Sequence, residues 1–567
     1  MSQFRHFLPI ISIVIFSVIS VSSSAKEVLL PGTVYESDEY GAIATVSPLA
    51  TRAAASELEQ GGNAIDAMIT AALTLGVVDS YNSGIGGGLF ALVHWADGKV
   101  EAIDGREMAP SKAYRDMYLR DGKAVSDLSK TGPLAVGIPG SVAVFDYLSK
   151  KGGKKPIADL YLKTADLAEG GFALSPEYAK RLQRHAKNLS RFPATASIFL
   201  NKNVPWEAGH RLVQADLAKT YRALAKNGPD YFYKGKYASQ LSRWMKANGG
   251  LISSADMANY QLKIRQPVKS TFYGHTVYGF PPPSSGGAHV AQLLNMVEQL
   301  SLKGKNTDER NHLLAEAMKL AFADRAYWLG DPDFAKVPAG LVDRQYTDTL
   351  AKNIDPNKVT TVSGHSTPVD ADDRWFNKHT THIAVADRWG NWLAITTTLN
   401  TSFGSKVVIP GTGVLLNNQM DDFSAQPGVP NAYGLVGSEA NNIQPGKRPL
   451  SSMSPTIVVK DGKPIMTIGA AGGPMIITQV TQGIIRHLLY EQSLLESLAS
   501  PRIHQQWKPD ILFHDKKLPE EQRKPLAAKG HILKQLRFEG SSNAISVKSG
   551  EYEAVSEPRL VERNQKN

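Results

Sequence analysis

The sequence predicts a mixed α/β protein whose sheets and helical layers are assembled from segments far apart in the chain. Three observations carry this. Apolar strand patterns gather near both ends, helical periodicity dominates the middle from about Ser141 to Leu329, and one pair of short sheets is too small to be stable alone. With 567 residues, 42% hydrophobic and 20% charged, the chain has ample material for a globular core; its length alone suggests about three or four domains, although large single α/β units also reach this size.

The first 25 residues stand apart. A basic start at Arg5, an apolar stretch over 8–21 and the small-x-small site Ser23-Ser24-Ala25 before Lys26 predict a secretory signal peptide. The apolar stretch is shorter than the roughly 20 residues of a membrane-spanning helix. The expectation is export and cleavage, leaving a mature protein from Lys26 that is periplasmic or secreted and not membrane-bound. Next come a short apolar strand over 41–48, a helix from Leu49 that stops at Gly61-Gly62-Asn63, and a second helix over 64–78. Strands at 90–95 and 99–103 turn through Asp97-Gly98. Helices follow, among them 213–226, 237–248, 288–302 and 308–329, broken at Gly249-Gly250, Pro281-Pro282-Pro283 and Gly286-Gly287.

From Thr381 strands return: 383–386 and 392–398 around Arg388-Trp389-Gly390-Asn391, then 413–416, then 456–460 turning through Asp461-Gly462 into 464–469. A helix spans about 476–490. The polar segment 370–377 reads as a linker, and 424–449, rich in Pro and Gly, as an irregular loop of the length that is usually functional.

The absence of cysteine excludes thiol nucleophiles, disulfides, Cys-ligated zinc and Cys-bound iron–sulfur clusters. The formal charge of +10 comes from scattered lysines and arginines, so no nucleic-acid partner is expected and the charge serves solubility. Gly364-His365-Ser366-Thr367-Pro368 has Pro where a nucleophile elbow needs Gly, and reads as loop. Gly84-Ile85-Gly86-Gly87-Gly88 precedes a strand rather than a helix, which fits close backbone packing better than dinucleotide binding. His379 and His382 lack a carboxylate between them and precede a strand, a poor metal motif.

The stretch from Thr380 to Phe423, TTHIAVADRWGNWLAITTTLNTSFGSKVVIPGTGVLLNNQMDDF, resembles the γ-glutamyltransferase family, whose precursors cut themselves before such a Thr-Thr-His. The match extends to DGREMAP at 104–110, PPPSSGG at 281–287, LGDPDF at 329–334, KRPLSSMSPT at 447–456 and Gly472-Gly473, so it covers nearly the whole mature chain. The chemistry is sound by itself. A threonine hydroxyl needs a base, and an N-terminal threonine carries one, its α-amine with a pKa of about 7.7 to 8.0. That requires a free amine on Thr380, hence a cut after His379, which the same hydroxyl can make by attacking the preceding carbonyl.

The resemblance implies a four-layer αββα sandwich of the N-terminal nucleophile hydrolase type, built from a large fragment 26–379 and a small fragment 380–567 that stay together as a heterodimer. It implies Thr380 as nucleophile, with Thr398 as the hydroxyl that tunes it. Arg106, Ser451 and Ser452 would bind the substrate α-carboxylate, and Asn400, Gln419 and Asp422 its α-ammonium. The N–H groups of Gly472 and Gly473 would form the oxyanion hole, and Tyr433 would sit on a lid. No cofactor or metal is implied. The substrates would be glutathione or other γ-glutamyl compounds, with water, amino acids or dipeptides as acceptors.

Taken singly, each of these residues has an ordinary reading. Thr398 lies in a strand pattern, Arg106 suits an ion pair, Asn417-Asn418-Gln419 suits a turn, and Asp421-Asp422 suits a helix cap or a calcium site. Several departures from the family pattern stand out: Ala384 for Ser or Thr, Ala470-Ala471 for Ser-Pro, Pro474 after the glycines, biasing Gly473 toward extended backbone, and Gly105 for an aromatic. The alternatives are a glutaryl or cephalosporin acylase with the same nucleophile, against which the amine-binding trio speaks, and a periplasmic binding protein with a decayed site, against which Thr380 and the glycine pair speak.

Overall fold

The computed structural model describes residues 33–368, 381–426, 435, 439–536 and 540–560. The signal peptide, the linker 370–377, His379, Thr380 and Tyr433 lie outside the described residues.

In chain order the principal strands are β1 (Val34–Ser37), β2 (Gly41–Ala44), β3 (Gly88–His94), β4 (Val100–Gly105), β5 (Lys263–Arg265), β6 (Val268–Phe272), β7 (His275–Gly279), β8 (Thr381–Asp387), β9 (Trp392–Thr398), β10 (Thr456–Lys460), β11 (Lys463–Ala471), β12 (Ser541–Lys548) and β13 (Glu551–Val555). The principal helices are α1 (Pro48–Glu59), α2 (Ala64–Val78), α3 (Ser141–Gly152), α4 (Ile157–Gly170), α5 (Ala215–Asn227), α6 (Lys236–Ala247), α7 (Gly286–Gln299), α8 (Thr307–Trp328) and α9 (Met475–Ile484). A seven-stranded sheet has the order β1-β2-β8-β9-β3-β4-β5, and a six-stranded sheet the order β6-β7-β10-β11-β12-β13. Both sheets combine strands from before and after position 380, and in the seven-stranded sheet β8 and β9 lie between β2 and β3.

Three cores define four layers. Ala44, Phe90, Phe280, Ala384, Trp392, Ile457 and Ile545 fill the space between the sheets. A second core packs α2, α4 and α5 on the seven-stranded sheet, and a third packs α7, α8 and α9 on the six-stranded one. The αββα expectation is met. Phe90 and Phe280 stack across the sheet interface at 4.1 Å between centroids. Each buried phenyl contributes on the order of 1.5–3 kcal/mol. Small residues let the sheets approach: Ala384, a departure from the family pattern, sits between Ala44 and Ala394 in this layer.

Helix α2 is buried along its whole length, which explains its unbroken run of Ala, Ile, Leu and Val. Asn63 caps it by accepting from the Ile65 and Asp66 amides, while Asp66 accepts from the Asn63 amide. The Gly84–Gly88 run serves close packing. A Cβ on Gly86 would meet the Leu415 carbonyl at 2.1 Å, and one on Gly87 the Thr398 carbonyl at 1.9 Å. Gly105 is equally forced, because a Cβ there would lie 2.3 Å from Val144 Cγ2 on α3, leaving no room for an aromatic.

Two expectations need correction. The middle of the chain, read as mostly helical, also contains β5 and the hairpin β6–β7. That hairpin turns at Tyr273-Gly274, both at positive φ (43° and 79°), in a two-residue turn without the usual Asn-Gly or Asp-Gly signal. The 413–416 strand reduces to one bridge, Val408 to Leu415, because Gly413 turns at φ 67° and its backbone packs against Leu217.

Candidate active site

The described residues that the sequence reading singled out gather toward one end of the sandwich, and the strand registers show why. Thr381 opens β8 opposite Thr397, and Thr398 at the end of β9 pairs with Gly88 at the start of β3. Gly105 ends β4 opposite Leu89, so Arg106 emerges at the same end. In the other sheet Gly469 lies against the ring of His382, where a Cβ would sit 2.3 Å from it. Thr467 Oγ1 donates to the Leu393 carbonyl farther along. Strand β11 therefore runs toward the start of β8 and delivers Gly472 and Gly473 there.

Arg106 is fully buried among carbonyls and carboxylates. Its Nε donates to the Pro449 carbonyl at 3.0 Å, and its Nη2 to the Leu450 carbonyl at 3.1 Å and to Asp422 Oδ2 at 2.5 Å. Asp422 closes a 3-10 turn, Gln419–Asp422, and Gln419 Nε2 donates to the same Oδ2 at 2.7 Å. Asp422 Oδ1 and Gln419 Oε1 are buried acceptors without a donor among the described residues. Buried oxygens rarely stay unpaired, so these two, on neighbouring side chains, are suited to a cation that carries several N–H donors.

Asn400 adopts φ 78° just past β9; its amide donates to Thr398 Oγ1 at 2.7 Å and its Nδ2 to the Asn418 carbonyl at 2.9 Å. Thr398 thus anchors the turn carrying Asn400. Ser451 and Ser452, in KRPLSSMSPT, pack against the PPPSSGG segment, with the Ser451 amide donating to the Pro283 carbonyl and the Ser285 amide to the Ser451 carbonyl, both at 2.8 Å. Ser451 Oγ accepts from the Met453 amide at 3.0 Å. Gly472 and Gly473 take φ of 130° and 69°. The extended backbone expected of Gly473 before Pro474 is not adopted, since glycine lacks the Cβ through which a following proline restricts its neighbour. Gln479 steadies the turn by donating from Nε2 to the Ala471 carbonyl at 3.1 Å.

Several neighbours escaped the sequence reading. Glu107 is buried with Oε2 3.6 Å from Arg106 Nη1. Arg325 donates to Ser452 Oγ at 2.7 Å and Ser285 Oγ at 2.9 Å. Asn441 Nδ2 donates to the Asp422 carbonyl at 2.6 Å. Asp79 accepts from Thr381 Oγ1 at 3.4 Å. Glu107 follows Arg106 in the quoted DGREMAP, and Asp79 closes α2; only the fold shows what they face.

Burial dominates the electrostatics. It pushes Asp422 up to about 7 against the pull of Arg106, and Glu107 up to about 7, with the Asp422 charge adding to the rise. Burial likewise lifts Asp79 to about 6 against Arg181. It pushes His382 down to about 3; with Nδ1 bonded to Thr396 Oγ1 at 2.9 Å, this histidine is a neutral core residue. Among the described residues no group of three or more His, Asp or Glu could hold a metal ion.

Comparison with known proteins identifies the family. The family described as Gamma-glutamyltranspeptidase matches residues 50–565. The glutathione hydrolase proenzyme of Escherichia coli K12 is 42% identical over 532 residues, covering 92% of this chain and 91% of its own. A cephalosporin acylase structure from Bacillus halodurans superposes with a TM-score of 0.82 at 26% identity, over 96% of this chain and 98% of its own. The γ-glutamyltranspeptidase structure from Helicobacter pylori gives 0.54 at 38% identity, over 55% of this chain and 91% of its own. The fold and these relationships together show that the chain belongs to the γ-glutamyltranspeptidase family and is a γ-glutamyltransferase.

Proposed function

We propose that the chain cuts itself before Thr380 and that Thr380, tuned by Thr398, then attacks the γ-carbonyl of glutathione or a related γ-glutamyl compound. The threonine proton passes to its own α-amine, and the oxyanion is received by the amides of Gly472 and Gly473. Collapse expels the amine of the leaving group, which takes up the proton, and leaves a γ-glutamyl ester. Water hydrolyses that ester to glutamate, or the amine of an amino acid or dipeptide accepts the γ-glutamyl group.

The observation that carries the reading is the buried pair Arg106–Asp422 with unfilled acceptors on Asp422 and Gln419. An α-amino acid is a zwitterion, and this is its complement: the guanidinium and the Ser451–Ser452 segment for the carboxylate, and Asp422, Gln419 and Asn400 for the ammonium. A glutaryl chain, which lacks the ammonium, gives Asp422 nothing. Incubation with glutathione tests the reading: glutamate and cysteinylglycine should appear in equal amounts, and an added dipeptide should divert glutamate into a γ-glutamyl tripeptide. Release of neither product would refute it.

A pH prediction follows from the elevated Asp422. Its folded-state value lies above the unfolded one, so protonation is favoured by folding. The associated stability is complete below about pH 4 and is lost as pH rises through about 7. Ammonium binding needs the anion. The ratio of kcat/KM on a γ-glutamyl anilide to that on a glutaryl anilide should therefore fall about tenfold per unit below pH 7. The Thr380 amine serves both substrates and cancels in the ratio. A flat ratio would mean that Arg106 keeps Asp422 ionised throughout.

Residues 424–449 serve, in this reading, as a lid carrying Tyr433. The root of this stretch is tied to the site, for Asn441 holds the Asp422 carbonyl and accepts from the Leu450 amide. Shortening the stretch between residues 427 and 438 should shift the balance of hydrolysis and transfer while the melting temperature holds. A lower melting temperature with an unchanged balance would assign the stretch a structural role. Residues 1–25 direct export, so the mature chain should begin at Lys26 outside the cytoplasm, as N-terminal sequencing of exported protein can check. Among the described residues no helix is long and apolar enough to cross a membrane.

A further inference from the structure

A polar cavity lies in the helical layer over the six-stranded sheet. It has a volume of about 220 Å³ and is walled by the first turns of α8, the end of α9 with the π turn Ile485–Leu489, and the segment around Ser500-Pro501. Two arginines line it, and no Asp or Glu does. Arg310 donates from Nε to the Leu302 carbonyl at 3.1 Å and from Nη2 to the Lys303 carbonyl at 3.0 Å, with its guanidinium 4.2 Å over the Tyr490 ring. Arg486 donates to Gln482 Oε1 at 3.4 Å, to the carbonyls of Ser497 and Ser500 at 3.3 Å each, and to that of Pro501. Every one of these acceptors is neutral, and neither arginine has an ion-pair partner among the described residues.

The charge count behind the cavity sharpens the point. Arg502 meets Glu557 at 2.8 Å, and Arg559 meets Asp515 at 2.6 Å and Glu557 at 2.9 Å. These two carboxylates balance Arg502 and Arg559 and leave Arg486 as the surplus cation. Burial and its two arginine neighbours push Arg486 down to about 9. A half-buried cation without an ion-pair partner carries a desolvation cost, and an anion in the cavity would relieve it. Beyond the bonds just named, Arg310 keeps both Nη1 N–H groups and one on Nη2, and Arg486 keeps its Nε N–H, a set of donors that suits a doubly charged tetrahedral oxyanion with several acceptor oxygens. Leu314, Leu518 and the Tyr490 ring offer apolar wall for an organic substituent.

We propose that this cavity is a binding site for a small phosphate-bearing anion, held between Arg310 and Arg486. It is separate from the catalytic end of the sandwich. Arg310 lies about 22 Å along α8 from Arg325, at about 1.5 Å per residue. The inference does not depend on the reaction assigned to the catalytic site.

Titration calorimetry on the full protein at fixed ionic strength, with inorganic phosphate and phenyl phosphate as probes, tests it. Saturable binding of at least one probe with a Kd of about 1 mM or tighter is expected, weakened at least about tenfold in Arg310→Gln. That variant should keep its melting temperature in chloride and its turnover in phosphate-free buffer. Arg486→Lys, which retains the charge without the fork, should also bind more weakly. Tighter binding of phenyl phosphate assigns the site to phosphate monoesters, and tighter binding of phosphate assigns it to the free ion. No saturable heat with either probe, or equal affinity in parent and Arg310→Gln, would overturn the proposal.

Discussion

Asp422→Ala is expected to lose most γ-glutamyl turnover while the chain is still cut before Thr380. In the parent, Asp422 is fully buried and shares Oδ2 between Arg106 and Gln419. In the proposed binding mode a γ-glutamyl substrate brings an ammonium to its remaining oxygen, and a glutaryl substrate leaves that oxygen buried and unpaired. The difference should be roughly 2–5 kcal/mol, or about 30-fold to several-thousand-fold in kcat/KM at about 1.4 kcal/mol per tenfold. The self-cleavage step uses no ammonium from a substrate, so it should survive. Asp422→Asn, which keeps the shape and removes the charge, should lose the same discrimination, separating charge recognition from packing. Equal efficiency of the parent on γ-glutamyl and glutaryl anilides would favour the acylase reading. A mutant that discriminates as well as its parent would show that Asp422 does not read the amine.

Thr380→Ala should remain a single chain and be inactive. Without the hydroxyl neither the cut nor the ester can form, and without the cut there is no α-amine to act as base. The expected loss is the whole catalysed rate. Thr380→Ser keeps the hydroxyl and lacks the methyl, so it should be cut slowly and then turn over substrate weakly. The uncut Thr380→Ala protein should still fold, since β8 and β9 pair within the seven-stranded sheet through residues from 381 onward. Its melting curve checks this.

The elements that the sequence predicted best are those whose pattern is local. Helix α2 was legible because it is apolar throughout and bounded by Gly61-Gly62-Asn63, and β8 and β9 because two apolar runs flank a polar turn. The β6–β7 hairpin was not, since Tyr273-Gly274 adopts left-handed backbone without Asn-Gly or Asp-Gly chemistry. At the site, the order of motifs brought Arg106, Asn400, Gln419, Asp422, Ser451, Ser452 and the glycine pair together. The direct pairing of Arg106 with Asp422 was not legible, because the two lie far apart in sequence and meet only when β4 and the 419–422 turn reach one end of the sandwich. Glu107 and Arg325 were hidden for the same reason: a buried charged residue is recognised by what surrounds it, and those surroundings come from distant segments.

The most direct measurement is the intact mass and N-terminal sequence of the purified protein's chains, taken alongside its γ-glutamyl turnover. Two chains, the smaller beginning at Thr380 with a free amine, should accompany activity. A single uncut chain that turns over γ-glutamyl substrate, or an active small chain beginning elsewhere, would contradict the assignment of Thr380 as nucleophile and base in one residue.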